Sequence, residues 1–114
     1  MSSEAEAPVL DRAHLDMMTG GDNELAAEVI EIFRHQAEIW SRMLSASEPA
    51  ATWADAAHTI KGAALGVGAT RLAEACAQAE TLGRAGNVSK AEAALVLGDV
   101  REQLNLALEA AARR

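Results

Sequence analysis

Apolar residues recur along this chain every three to four positions and hardly anywhere every two. That is the period of helices packed on one face. Leu10, Ala13, His14, Met17 and Met18 predict a short first helix, stopped by Thr19-Gly20-Gly21. Asp22 or Asn23 can cap the next one. Leu25, Val29, Ile32, Phe33, Gln36, Ile39, Trp40 and Met43 give it a long stripe, to about Ala46. Ser47-Glu48-Pro49 is the break, and Pro at a first helical turn forfeits no hydrogen bond. A third helix follows and closes in the Gly66–Gly68 region. Thr70 is the expected cap of the fourth, whose core face is Leu72, Ala75, Cys76, Ala79 and Leu82. Residues 83–87 interrupt the pattern, and Ser89-x-x-Glu92 then reads as a capping box. Ala93, Leu97, Val100, Leu104, Ala107, Leu108 and Ala111 carry a last helix to Arg113 and Arg114, which suit its negative end.

Short loops make sequential helices antiparallel neighbours. The expected fold is therefore all-α: an antiparallel up-down four-helix bundle with a short extra N-terminal helix. It spans 9–114, after a disordered tail at 1–8. Composition agrees. Half of the 114 residues are hydrophobic, yet the aromatics are only Phe33, Trp40 and Trp53. A core rich in Ala needs closely packed helices.

A net charge of −7 with no basic stripe argues against a nucleic-acid binder. Cys76 is the single cysteine, which excludes an internal disulfide and a C-x-x-C metal site. Its place on an apolar face makes it a small buried hydrophobe. The opening MSSEAEAP lacks the apolar core of a secretory signal, and no apolar run is long enough to span a bilayer. These features predict a cytoplasmic protein. It is expected to be a monomer, because the long helices can bury their stripes within one chain.

The third helix carries the candidate chemistry. At about 100° per residue, Trp53, Ala56, Ala57, Ile60, Ala64 and Val67 share one stripe. His58 falls almost opposite, toward solvent. Ala51, Ala54, Asp55, Lys61, Gly62 and Leu65 lie around it, most of them small. A Gly inside a helix costs roughly 0.8–1 kcal/mol against Ala, so Gly62 needs a reason. Clearance is one: a side chain one turn along would crowd the imidazole. Lys61, three residues on, can reach an anion held on the ring. A nucleophilic nitrogen, a cation beside it and open space above suit a group with phosphate-like charge.

His58-Thr59-Ile60-Lys61-Gly62-Ala63-Ala64, then Gly68, Leu72, Cys76 and Glu80, resembles the histidine phosphotransfer (HPt) domain. The family pattern is H-x-x-K-G, a Gly closing the helix, and L-x-x-x-C-x-x-x-E on the next. The match covers 56–84, about a quarter of the chain. The resemblance implies a bundle in which His58 is the phosphoacceptor and Nε2 attacks an aspartyl phosphate. It puts Glu80 on Nδ1, where it orients the imidazole. Geometry allows that role, since Glu80 lies on the edge of its helix's core face, about 100° from the centre. Lys61 is expected to stabilise charge on the phosphoryl oxygens. The implied partners are response-regulator receiver domains and a hybrid histidine kinase. The receiver supplies the aspartate and Mg²⁺. Ala51, Ala54, Asp55, Gly62, Leu65 and Ala69 are the expected docking patch, completed by the second helix.

The chain is thus expected to be a phosphocarrier and not an enzyme. It has no Gly-rich nucleotide loop and no suitably placed acidic cluster. A self-contained small protein is the natural expectation, and a phosphoacceptor domain of a larger sensor or chemotaxis-type kinase the near alternative. The rival from another class is a non-catalytic helical interaction module. A metal bundle ranks third. Asp11-x-x-His14 and Asp55-x-x-His58 have the spacing of di-iron helices, but Asp55 and His58 point outward. His14 and His35 read as ordinary surface or edge residues.

Overall fold

The computed structural model describes residues 8–113. The tail expected at 1–8, apart from Pro8, and Arg114 lie outside them. The elements are α1 (Arg12–Thr19), α2 (Asn23–Trp40), α3 (Ala50–Val67), α4 (Thr70–Ala85) and α5 (Lys90–Ala112), with a 3-10 turn at Ser41–Met43 after α2. α3 packs most extensively on α4, then α4 on α5 and α2 on α3. The seam between α2 and α5 is the slackest of the bundle.

Local chemistry sets the ends. Asp11 accepts from the His14 N–H, and Asp22 from the N–H groups of Glu24 and Leu25, so each satisfies donors left free at a helix start. Ser89 and Glu92 form the expected reciprocal capping box. Thr70 does not cap α4; the position is held by Ala69, whose side chain makes no cap hydrogen bond. Gly68 closes α3 in the left-handed conformation at φ +77°. A Cβ there would also lie 2.9 Å from the Asp11 carbonyl oxygen. The Asp11 N–H donates to the Gly68 carbonyl at 2.8 Å, which pins the start of α1 to the turn between α3 and α4.

Three further expectations differ from the structure. The interruption expected at 83–87 begins later, because α4 runs through a buried Gly83 to Ala85. A Cβ at Gly83 would stand 2.8 Å from the Ala54 Cβ and 2.8 Å from Trp53 Cζ3. This glycine lets two helices touch; it does not end one. On α1, Leu15 and Thr19 are buried while Met17 and Met18 are exposed, so the core side lies elsewhere than the methionine pattern suggested. His14 beside them is half-buried. On α2 only Ala26, Phe33 and Ala37 are buried, and Leu25, Ile32, Ile39 and Met43 of the predicted stripe stay exposed.

The core otherwise follows the predicted stripes, except that Leu82 of the predicted α4 face is half-buried and stands outside it. Trp53, Ala56, Ala57, Ile60, Ala64 and Val67 of α3 meet Leu72, Ala75, Cys76 and Ala79 of α4. Ala93, Leu97, Val100, Leu104 and Ala107 of α5 join them.

Candidate functional site

His58 sits in the middle of α3 on the face opposite the buried stripe, with its side chain 62% exposed. The 18 residues of α3, closed by Gly68, hold it on a rigid element. The Gly83 contact draws α4 close, and Glu80 lies one turn before that contact on the same helix. Glu80 Oε2 is 2.9 Å from His58 Nδ1, and its other oxygen, Oε1, accepts from Lys61 Nζ at 2.8 Å. One carboxylate therefore joins the two motif residues, bridging α3 and α4.

The protonation pattern follows from this geometry. Glu80 is held below the ordinary carboxylate range, first by the Lys61 hydrogen bond and further by the nearby His58. An ionised carboxylate only accepts, so Nδ1 carries the proton and donates it. In a neutral ring Nε2 then keeps a lone pair, on an exposed side chain.

Two further charges complete the site. Arg84 Nη2 is 2.7 Å from Asp55 Oδ1 and 3.7 Å from Glu80 Oε2. The guanidinium thus spans from α4 to α3 beside the imidazole. Sequence reasoning passed over Arg84. Its signal was the four-residue step from Glu80, which puts the two on one helical face. Cys76, one turn on the other side of Glu80, is fully buried, and burial pushes its thiol up to about 12. It stays protonated and works as a packing group.

His58, Lys61 and Glu80 are thus brought together. Lys61, expected on the phosphoryl oxygens, has its ammonium on Glu80. Gly62 is exposed, and a Cβ there would meet no atom within 4 Å. Such a side chain would not crowd the imidazole, so any clearance it gives is for a body approaching from outside. Ala51, Asp55 and Leu65 are exposed as expected. Ala54 and Ala69 are not: each is fully buried, Ala54 beneath Gly83 of α4 and Ala69 at the tight turn between helices. Neither can belong to a docking surface. On the other flank of α3, Ala63, Gly66 and Val67 face Val29, Ile32 and Phe33 of α2 across an apolar groove. Among the described residues, no group of three or more His, Cys, Asp or Glu gathers to hold a metal ion. No helix among them is long and apolar enough to cross a membrane.

Comparison with known proteins identifies the family. The family model described as the Hpt domain matches residues 24–114. The crystal structure of the histidine phosphotransferase ShpA from Caulobacter crescentus is similar, with 39% identity and a TM-score of 0.74 over 93% of this chain and 89% of that one. The histidine-containing phosphotransfer protein ZmHP2 from maize shares the fold at 22% identity, with a TM-score of 0.71 over 92% of this chain and 88% of that one. No curated protein matches the sequence. With the family model spanning most of the chain, this protein belongs to the Hpt domain family.

Proposed function

We propose that the protein carries a phosphoryl group on His58 between aspartates of receiver domains in a two-component phosphorelay. The observation that carries this reading is the Glu80 contact to Nδ1, which leaves Nε2 as the nucleophile on an exposed ring. The Nε2 lone pair attacks phosphorus of an aspartyl phosphate in line. The N–P bond forms as the bond from phosphorus to the aspartate oxygen breaks, and the carboxylate leaves. The ring becomes cationic with its proton still on Nδ1, where Glu80 balances the charge. The reverse transfer retraces these steps.

The receiver brings the aspartate and Mg²⁺. This chain contributes a positioned nucleophile, so in this reading it acts as a carrier and not as an enzyme. A hybrid histidine kinase supplies phosphate to the relay. Docking uses Ala51, Asp55, Gly62 and Leu65 around the ring, continued by the groove that Ile32 and Val29 line. Ile32 is 63% and Leu65 54% exposed, so both large aliphatic side chains are accessible to a partner. We also propose that the protein acts in the cytoplasm and as a monomer.

The test is incubation with phosphorylated receiver domains, followed by mapping of any label. Acid-labile phosphate on the His58 peptide supports the carrier reading. Stable binding to receivers with no label would replace it by an interaction module.

A further inference from the structure

We infer that Lys61 is a positioning residue: it holds the Glu80 carboxylate, and through it the His58 ring, and does not itself bind the transferred phosphoryl group. This rests on the reading of His58 as the phosphate carrier. Lys61 Nζ and His58 Nδ1 occupy different oxygens of one carboxylate, at 2.8 and 2.9 Å. The two ring nitrogens point away from each other, so a phosphoryl group on Nε2 stands on the far side of the ring from Glu80. The Lys61 ammonium, seated on Oε1 at 2.8 Å, is therefore directed at the carboxylate that sets the tautomer, on the other side of the ring from the phosphoryl group.

Depth argues the same way. The Lys61 side chain is 29% exposed and that of Glu80 18%, against 62% for His58. The ammonium–carboxylate contact thus lies inside the site while Nε2 lies outside, where a receiver arrives. A hydrogen bond to a charged group contributes more when partly withdrawn from water. The hold on Glu80 is contested as well. Four groups face its carboxylate: His58 and Lys61 from α3, Arg84 on its own helix, and the buried Cys76 thiol one turn before. Asp55 keeps the Arg84 guanidinium at 3.7 Å from Oε2. Without Lys61, nothing holds Oε1, and the carboxylate can turn from the ring to Arg84.

The experiment uses Lys61→Met, which keeps the apolar stem along the helix and removes only the ammonium. Nitrogen-15 NMR of the unphosphorylated protein, at a pH where the ring is neutral, reads the His58 tautomer directly. In the wild type the proton sits on Nδ1. In Lys61→Met the ring nitrogens should report a mixture shifted toward protonated Nε2. Ring signals identical to wild type would overturn the inference. No receiver is needed, so this outcome stands apart from whether His58 accepts phosphate. A second arm compares transfer rates in a Glu80→Ala background. There Lys61→Met should change the rate by less than about twofold, although it slows the otherwise wild-type protein several-fold. An equal loss in both backgrounds would put the ammonium on the phosphoryl group after all.

Discussion

The two flanks of α3 are built to opposite specifications. Toward α4, the helix is sealed. Trp53 and Ala54 are fully buried, Gly83 brings the backbones together, and Glu80 ties His58 to Lys61 across the seam. Toward α2, it is covered only in part: Phe33 is buried against it, but Gly66 and Ala63 are half-buried along a groove and Ile32 stands out in solvent. A sealed flank fixes an imidazole to within the tolerance that chemistry needs. An exposed apolar strip beside that site is the face we propose for the receiver. His58 lies between them, held by one and presented by the other.

Substitutions on each flank should therefore fail differently. The largest effect is at the boundary. His58→Gln should abolish phosphotransfer and leave the melting temperature nearly unchanged, since an exposed substitution costs little stability. A matching loss of fold, seen by circular dichroism, would remove His58 from the exposed site. On the sealed flank, Gly83→Ala gains about 1 kcal/mol of helix propensity. Overpacking against Ala54 and Trp53 costs roughly 1–3 kcal/mol, and neither neighbour has a flexible end to move, so the net change should be destabilising. Urea denaturation measures it, and a more stable variant would mean that the helices do not touch there.

On the open flank, Ile32→Lys should keep stability within about 0.5 kcal/mol. It should also weaken receiver binding several-fold in a titration. Unaltered affinity would move the docking surface off α2. Gly62→Ala separates the flanks more finely. With open space around the new Cβ, the variant should be about 0.8–1 kcal/mol more stable. Transfer should be slower if a receiver uses that clearance, and an unaffected rate would leave the glycine without a role. The smallest effect is with pH. Glu80 titrates below its usual range in the fold, so its contribution is fully present above the unfolded value of about 4.3. It is lost as pH falls through the lowered folded value. The difference in melting temperature between wild type and Glu80→Gln should accordingly shrink on acidification through that window. A difference constant with pH would deny the ion pairs of Glu80.

Much of this was legible in the chain. Helical period placed the α3 stripe and the exposure of His58, because a buried stripe on one face leaves its opposite to solvent. Helix caps at Asp22 and Ser89 were readable because they are local, set by side chains within three residues. What was missed depends on contacts across helices. Gly83 looks like a breaker in sequence, and only the approach of Trp53 shows it to be a contact. Ala54 looks like surface by angle and Ala69 like part of the same patch, yet a close neighbour and a tight turn bury them. Lys61 is correctly placed by its spacing from His58, but spacing cannot say which anion its ammonium meets. Arg84 belongs to the site through Asp55, a residue on another helix.

The central claim is that Nδ1 is tied to Glu80 and Nε2 does the chemistry. The most direct test is phosphorus-31 and nitrogen-15 NMR of the protein after phosphorylation by a receiver. The account predicts one phosphohistidine, at His58, with phosphorus on Nε2 and the proton retained on Nδ1. Phosphorus on Nδ1, or on any residue other than His58, would contradict it.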